Sequence, residues 1–473
     1  MSKINSTKKP SKVMVGEIAG VKGLVAKESP FMQLRRVTLA NLLWEDNAYV
    51  DGEKTANAIS ELIPQCDPVD VANLALETRT LQKLRHTPLY IVSEMCKYDN
   101  MKKYVPELLP RIITRADMLT DFLAIYWKGT NKKERPLANC AKKGLAAAFH
   151  NFNEYKFAKY DRNAPIKLRD VMFLVHPKPV DQNETALFNK IAERTLETPE
   201  TWETMLSAGL DKKKTWEYLI SERKIGGLAM LRNLRNMVDA GVSRSTIEDG
   251  IANMNGSMLL PLDYLKANKE SNGSFERVIE DKMLLSYSNL PKISGKTLFI
   301  LDVSGSMCAR ISGRSNFSRI DVAAAMAMLA SEQCEDFDLM LTSGSDARYT
   351  ESHKFVKMPP RGFKFIDYVK KEFNSYSLGG GGIFTRQALE AAASELGTDY
   401  DRIIVFSDSQ DCDYGNRRIP KPFAKYNYIC DVSSELYGVN YKGVWTAEIS
   451  GWSEHFLSYI AAYEGIENVF DEQ

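Results

Sequence analysis

The segment Thr297-Leu-Phe-Ile-Leu-Asp-Val-Ser-Gly-Ser-Met307 restricts the possible folds more than any other stretch of the chain. Its apolar run, Leu298 to Leu301, is short enough for a buried strand and stops abruptly at an acid. A polar segment follows, and then the apolar run Val322 to Leu329 at helical length. In an open α/β sheet, ligand sites form at such carboxyl ends of strands. Asp302, Ser304 and Ser306 place three hard oxygen donors at alternate positions of that turn. Gly305 lets the backbone fold so that they converge. One acid with two hydroxyls suits a divalent cation that keeps several waters, the behaviour of Mg²⁺. A serine-rich turn that merely caps the following helix is the competing reading.

Downstream of Leu290-Pro-Lys-Ile-Ser-Gly295, strands and helices are expected to alternate. Strands are expected at 297–303, 337–342, 402–407, 426–432 and 444–449, and helices at 320–333, 362–373, 385–396 and 454–464. That alternation belongs to a doubly wound sheet. Upstream, from Leu39 to Ala267, the periodicity is helical almost throughout. Asp67-Pro68 reads as an N-cap followed by proline at the first helical position. Residues 101–115 and 137–160 are each expected as continuous helical segments. Stacked amphipathic helices without strict repeats indicate an α-solenoid or bundle of HEAT-like shape. The predicted organisation is a disordered basic tail (1–14), a helical block (15–290) and an α/β domain (291–473), a multidomain α plus α/β chain.

At 473 residues, two or three domains are expected. The seven cysteines are scattered without a CxxC pair, which argues against structural zinc and a disulfide framework. With no secretory signal and no apolar run of membrane-spanning length, the expected location is the cytoplasm. The formal charge of +1 conceals an asymmetry. Residues 101–180 carry 16 Lys and Arg against 7 acids, whereas residues 391–473 carry 14 acids against 6 Lys and Arg. The basic block could attract a polyanion; a solvated charged face is the plainer meaning.

Two further turns complete the expected cation site. Gly379-Gly-Gly-Gly-Ile-Phe-Thr385 precedes a helix and offers the Thr385 hydroxyl, and Ile403-Ile-Val-Phe-Ser-Asp408 is a buried strand ending in a carboxylate. No Lys-Ser/Thr follows the glycines, so a nucleotide P-loop is not indicated. Asp302, Ser304, Ser306, Thr385 and Asp408 together resemble the metal-ion-dependent adhesion site of von Willebrand factor A domains. The resemblance implies a site that binds Mg²⁺ or another divalent cation and leaves a position open for a partner's carboxylate. No nucleophile–base pair is legible: His353 is oriented by no motif, and no G-x-S-x-G elbow surrounds Ser304 or Ser306.

In the basic block, Phe149, Phe152 and Tyr155 recur at three-residue spacing, with Phe157 and Tyr160 beyond and Lys156 and Lys159 among them. A core-facing aromatic stripe with solvated lysines is the plainer reading. Aromatics and cations interleaved for RNA is the other, with cations on phosphates and rings stacked on unpaired bases.

The runs RIITRADMLTDFLAIYW (111–127), KKGLAAAFHNFNEYKFAKY (142–160), KLRDVMFLVHPKP (167–179) and LAMLRNLRNM (228–237) resemble the TROVE module of the Ro autoantigen family. The resemblance implies a ring of HEAT-like repeats closed by a von Willebrand A domain, acting as a monomer that binds RNA without catalysis. The implied partners are small structured Y-like RNAs and single-stranded 3′ ends of defective noncoding RNAs. It also places Lys159 and His176 at RNA-contact positions. A third contact falls on Asn163, where the neighbouring Arg162 can supply the cation. Lys142, Lys143, Lys167 and Arg169 join them on charge. A protein-adhesion scaffold using the cation site without RNA is the alternative. An Mg²⁺-dependent nuclease is weaker, because two carboxylates are few for two-metal chemistry.

Overall fold

A computed structural model describes residues 12–14, 24–26, 29–38, 52–161, 165–288, 292–311, 317–344, 352–374, 378, 382–412, 419–433, 441, 443–450 and 456–466. The chain forms two compact units. One is Asn57–Tyr287; the other comprises Met1–Ala56 together with Ser288–Gln473. The helix Pro30–Thr38, which lies inside the expected helical block, therefore groups with the sheet unit, where it packs on the helix Phe456–Glu464.

Among the described residues, the unit Asn57–Tyr287 contains helices and no strands. Asp67 caps Pro68–Thr80 by accepting a hydrogen bond from the Val69 amide, with Pro68 at the first helical position. The segment expected to be continuous from 137 to 160 is two helices, Asn139–Phe149 and Glu154–Tyr160. The break comes from asparagines that satisfy backbone groups outside a helix. Asn153 caps the second helix through the Lys156 amide, and the Asn151 amide donates to the carbonyls of Pro110 and Ile113. The 101–115 segment also divides, into Asp99–Lys102 and Val105–Ile112. The helices Val105–Ile112 and Asn139–Phe149 meet at Gly144, where an added Cβ would lie 2.8 Å from the Leu109 side chain and 3.0 Å from the Val105 carbonyl oxygen.

In the other unit, β1 (Lys12–Met14) pairs antiparallel with β2 (Leu24–Ala26). Residues 12–14, expected in a disordered tail, thus have backbone partners in residues 24–26. The main sheet has six strands: β3 (Ile293–Asp302), β4 (Cys334–Thr342), β5 (His353–Val356), β6 (Arg402–Ser407), β7 (Tyr426–Asp431) and β8 (Ala447–Ser450). Their spatial order is β5-β4-β3-β6-β7-β8. All neighbours are parallel except β4 and β5, so the sheet is mixed, with an antiparallel edge strand that the periodicity did not indicate.

Side chains alternate across β3 as strand geometry requires. Leu298 and Ile300 join Ile403, Val405, Leu389 and Trp445 in one core. Phe299 faces the other side, against Phe406, which in turn meets Phe456 edge-on at 5.9 Å. Both faces are covered, which explains the near-continuous apolar sequence of β3 and β6. At the base of the sheet Arg402 donates to Glu464 through Nε (3.0 Å) and Nη2 (2.6 Å), and both side chains are shielded from solvent. No helix among the described residues is long and apolar enough to cross a membrane.

Candidate cation site and basic face

The strand order reverses at β3: β4 lies on one side and β6 on the other. A crevice therefore opens between the carboxyl ends of β3 and β6, the usual ligand position in such sheets. Leu301 pairs with Phe406, which brings the next residues, Asp302 and Ser407, side by side. Ser407 Oγ donates to Asp302 Oδ2 at 2.7 Å, and the Ser304 amide donates to Asp302 Oδ1 at 2.8 Å. Ser304 Oγ and Ser306 Oγ lie 3.2 Å apart at the start of the 3₁₀ turn Gly305–Cys308. Asp302, Ser304 and Asp408 are fully buried, whereas Ser306 is half-buried. Burial and the nearby Asp408 charge push the Asp302 carboxyl up to about 7.

Asp408 follows β6 directly. Its Oδ2 accepts a 2.7 Å hydrogen bond from Arg319 Nη1, at the first turn of the helix Arg319–Gln333. Its Oδ1 is buried and has no hydrogen-bond partner among the described residues. An orphaned carboxylate oxygen, a second buried carboxylate whose charge it feels, and the serine hydroxyls of the Asp302 turn are a donor set that would suit a hard divalent cation. Among the described residues no cluster of three or more His, Cys, Asp or Glu is placed to hold a metal, so the two carboxylates depend on hydroxyl oxygens to complete a shell.

Thr385 begins the helix Thr385–Leu396 and is buried, but its partners belong to a neighbouring group. Its amide donates to Asp411 Oδ1 at 3.1 Å, and its hydroxyl lies 3.2 Å from the Tyr441 hydroxyl oxygen. Tyr441 donates to Asp411 Oδ2. Among the described residues no hydrogen bond joins Thr385 to Asp302, Ser304, Ser306 or Asp408. The loop before it is seated by Gly344, at φ +71°, where a Cβ would overlap the Phe384 ring. Gly379 to Gly381 lie outside the described residues. Sequence reasoning missed Arg319 and Ser407. The sequence signal for Arg319 is a cation in the first turn of a helix, where the macrodipole disfavours positive charge unless an anion is present. His353 is held on β5 with its Nδ1 2.9 Å from Thr342 Oγ1, and no hydrogen bond among the described residues joins it to the carboxylates.

In the helical unit, Phe149, Phe152 and Phe157 are buried and pack on one another, with ring centroids 5.5–5.7 Å apart. These three are core residues, as amphipathic spacing alone would have it, and Tyr155 is the exposed member of the stripe. Some lysines of the helical unit are paired with acids. Lys190 binds Glu154 at 2.7 Å, Lys102 binds Asp99 at 2.7 Å and Lys224 binds Glu200 at 3.0 Å. Lys142, Lys143, Lys159 and Lys167 form no ion pair among the described residues, and Arg169 lies over the Phe173 ring at 5.2 Å. Arg162 lies outside the described residues. His176 caps the helix Leu168–Val175 in a left-handed conformation (φ 50°), its amide bonded to the Met172 carbonyl at 2.9 Å and its ring exposed. A left-handed non-glycine residue is uncommon. Lys159 also lines an open cleft of about 1100 Å³ with Tyr155, Glu200, Arg223, Lys224 and Asn253.

The TROVE domain family model matches residues 192–328. That span contains the 228–237 run and the Asp302, Ser304 and Ser306 turn, and begins after the basic stretch of residues 101–180. No curated protein matches the chain. Among solved structures, the crystal structure of the Deinococcus radiodurans RO (RSR) protein superposes with a TM-score of 0.62 at 17% identity. The match covers 92% of this chain and 100% of that one. A helical unit followed by a C-terminal mixed six-stranded α/β sheet is thus shared over nearly the whole length. Residues 192–328 thus match the TROVE domain model, in a chain that has the fold of the Deinococcus radiodurans RO (RSR) protein.

Proposed function

We propose that this protein is a Ro-type RNA-binding protein that holds small structured RNA and single-stranded RNA 3′ ends on the basic face of its helical unit. The observation that carries the reading is the set of cations without an acidic partner among the described residues, Lys142, Lys143, Lys159 and Lys167, together with the exposed His176. None of the four has an acidic partner among the described residues, so their positive charge is available to phosphates. Tyr155, exposed beside Lys159 in the cleft, offers a ring for an unpaired base. RNA recognition by such a face needs no catalysis, and the reading assigns the chain no enzymatic step.

The cation site is a separate element of the proposal. Asp302, Ser304, Ser306 and Asp408 hold Mg²⁺, and Thr385 joins through a water or after movement of the Tyr441–Asp411 pair. The ion serves adhesion to a partner's carboxylate, reached past the half-buried Ser306. A mobility-shift titration of a structured RNA with a free 3′ tail tests the assignment, with wild type against Lys159→Ala/His176→Ala. A tenfold or greater loss in the double variant is expected. Equal binding by both proteins would remove RNA from this face, and no binding by either would favour the protein-adhesion reading. Asp302→Ala is expected to abolish Mg²⁺ binding by calorimetry while RNA affinity stays within about twofold.

A further inference from the structure

Cys96 and Cys140, 44 residues apart in sequence, place their sulfurs 3.9 Å from each other within the helical unit. Cys96 ends the helix His86–Met95 and is buried. Cys140 is the second residue of the helix Asn139–Phe149 and is half-buried. We propose that these two thiols are a modification site, closing to an intramolecular disulfide when the protein meets a peroxide.

The surroundings divide the chemistry between the two sulfurs. A thiolate at Cys140 is stabilised by the hydrogen bond shared with Cys96, by the free amides of the helix's first turn and by the Lys102 charge, which bring it down to about 6. The Cys96 thiol is raised by the same shared bond and by burial, so it keeps its proton. The Arg135 guanidinium is fixed nearby by the Ser93 and Tyr126 carbonyls, both at 2.9 Å. The half-buried, activated thiolate is therefore the attacking group and the buried thiol resolves it.

The steps balance as follows. Cys140 sulfur attacks one peroxide oxygen, the O–O bond breaks, and hydroxide leaves to give a sulfenic acid. Cys96 sulfur then attacks the sulfenic sulfur; the S–O bond breaks, and the departing hydroxide takes up the Cys96 thiol proton as water, while the hydroxide of the first step takes up the proton that Cys140 had given to solvent. In total, two thiols and one hydrogen peroxide become one disulfide and two waters, the sulfurs losing the two electrons that the peroxide gains. The sulfurs must approach by about 2 Å to reach bonding distance, a movement on the scale of side-chain torsion. Closure ties the helix His86–Met95 to the helix that carries Lys142 and Lys143.

The test is peptide mapping of the reduced full chain after brief exposure to a few equivalents of hydrogen peroxide, with free thiols capped before digestion without reductant. The expected product is a Cys96–Cys140 linked peptide pair, lighter by two hydrogens and separated again by dithiothreitol. In Cys96→Ser the reaction should stop at a Cys140 sulfenic acid that dimedone traps. Wild-type protein in which both thiols remain free, or in which Cys140 proceeds to sulfinic acid without a link, would overturn the proposal. The wild-type map decides by itself if the variant does not fold.

Discussion

Arg319 Nη1 lies 2.7 Å from Asp408 Oδ2, with the carboxylate fully buried and the guanidinium nearly so. A fixed positive charge thus stands beside the two carboxylates at the switch point of the sheet. It offsets part of the repulsion that a divalent cation would otherwise have to relieve. Removing one member of a buried pair leaves an uncompensated charge, at a cost of about 3–5 kcal/mol. Arg319→Met should therefore lower the melting temperature in EDTA, and Mg²⁺ should restore the variant more than it stabilises wild type. Thermal denaturation with and without Mg²⁺ checks this; equal gains in the two proteins would mean that Arg319 and the ion do not share Asp408.

The depressed Cys140 thiol carries a pH signature. Its thiolate persists down to about pH 6 and is lost below, whereas a free cysteine titrates near about 8.5. The rate of Cys140 alkylation by iodoacetamide should rise with a midpoint near about 6. In Cys96→Ala, which removes the shared hydrogen bond, the midpoint should move upward. An unmoved midpoint would assign the depression to the helix terminus and Lys102.

Gly144 predicts a packing cost. Valine there would push into Leu109 and the Val105 carbonyl. Overpacking of this kind costs about 1–3 kcal/mol, and urea denaturation of Gly144→Val should show a fall in midpoint of that order.

The Arg402–Glu464 pair should behave non-additively. Glu464 also accepts from the Tyr428 hydroxyl at 3.0 Å, so its carboxylate satisfies two buried donors. Glu464→Leu alone strands the guanidinium and should cost about 3–5 kcal/mol, whereas Arg402→Met/Glu464→Leu should cost less than the single change. Denaturation of the three variants closes the cycle.

The unpaired lysines should be readable in the salt dependence of RNA binding. If Lys159 neutralises one phosphate, Lys159→Ala should lower the slope of log K against log salt by about 0.7 on a single strand. Titrations at three or more salt concentrations measure it. An unchanged slope would place Lys159 off the phosphate path.

Much of this architecture was legible where local chemistry decides. Asp67-Pro68 announced its helix, the run ending at Asp302 announced a buried strand, and β6 matches its expected range residue for residue. The sequence was silent where partners are distant. The strand β5 is four residues long at a sheet edge and owes its pairing to β4. The break at residues 150–153 depends on Asn151 reaching the carbonyls of Pro110 and Ile113 across the helix packing. Arg319 acquires its role only when folding brings Asp408, 89 positions later, against it. Periodicity also could not assign the helix Pro30–Thr38 to the sheet unit, because its partner is the last described helix of the chain.

That helix has an unusual place in the order of events during synthesis. Its partner Phe456–Glu464 begins 418 residues after Thr38 (456 − 38), and the Glu448 carbonyl that its Arg36 contacts at 3.4 Å is made almost as late. At translation rates of about 5–20 residues per second, this early-made helix waits on the order of 20–80 s for its docking surface. The helical unit Asn57–Tyr287 is complete well before then. Nascent chains stalled before residue 456 should therefore carry a folded helical unit preceded by an undocked Pro30–Thr38 segment, a target for proteases or chaperones that full-length protein no longer offers.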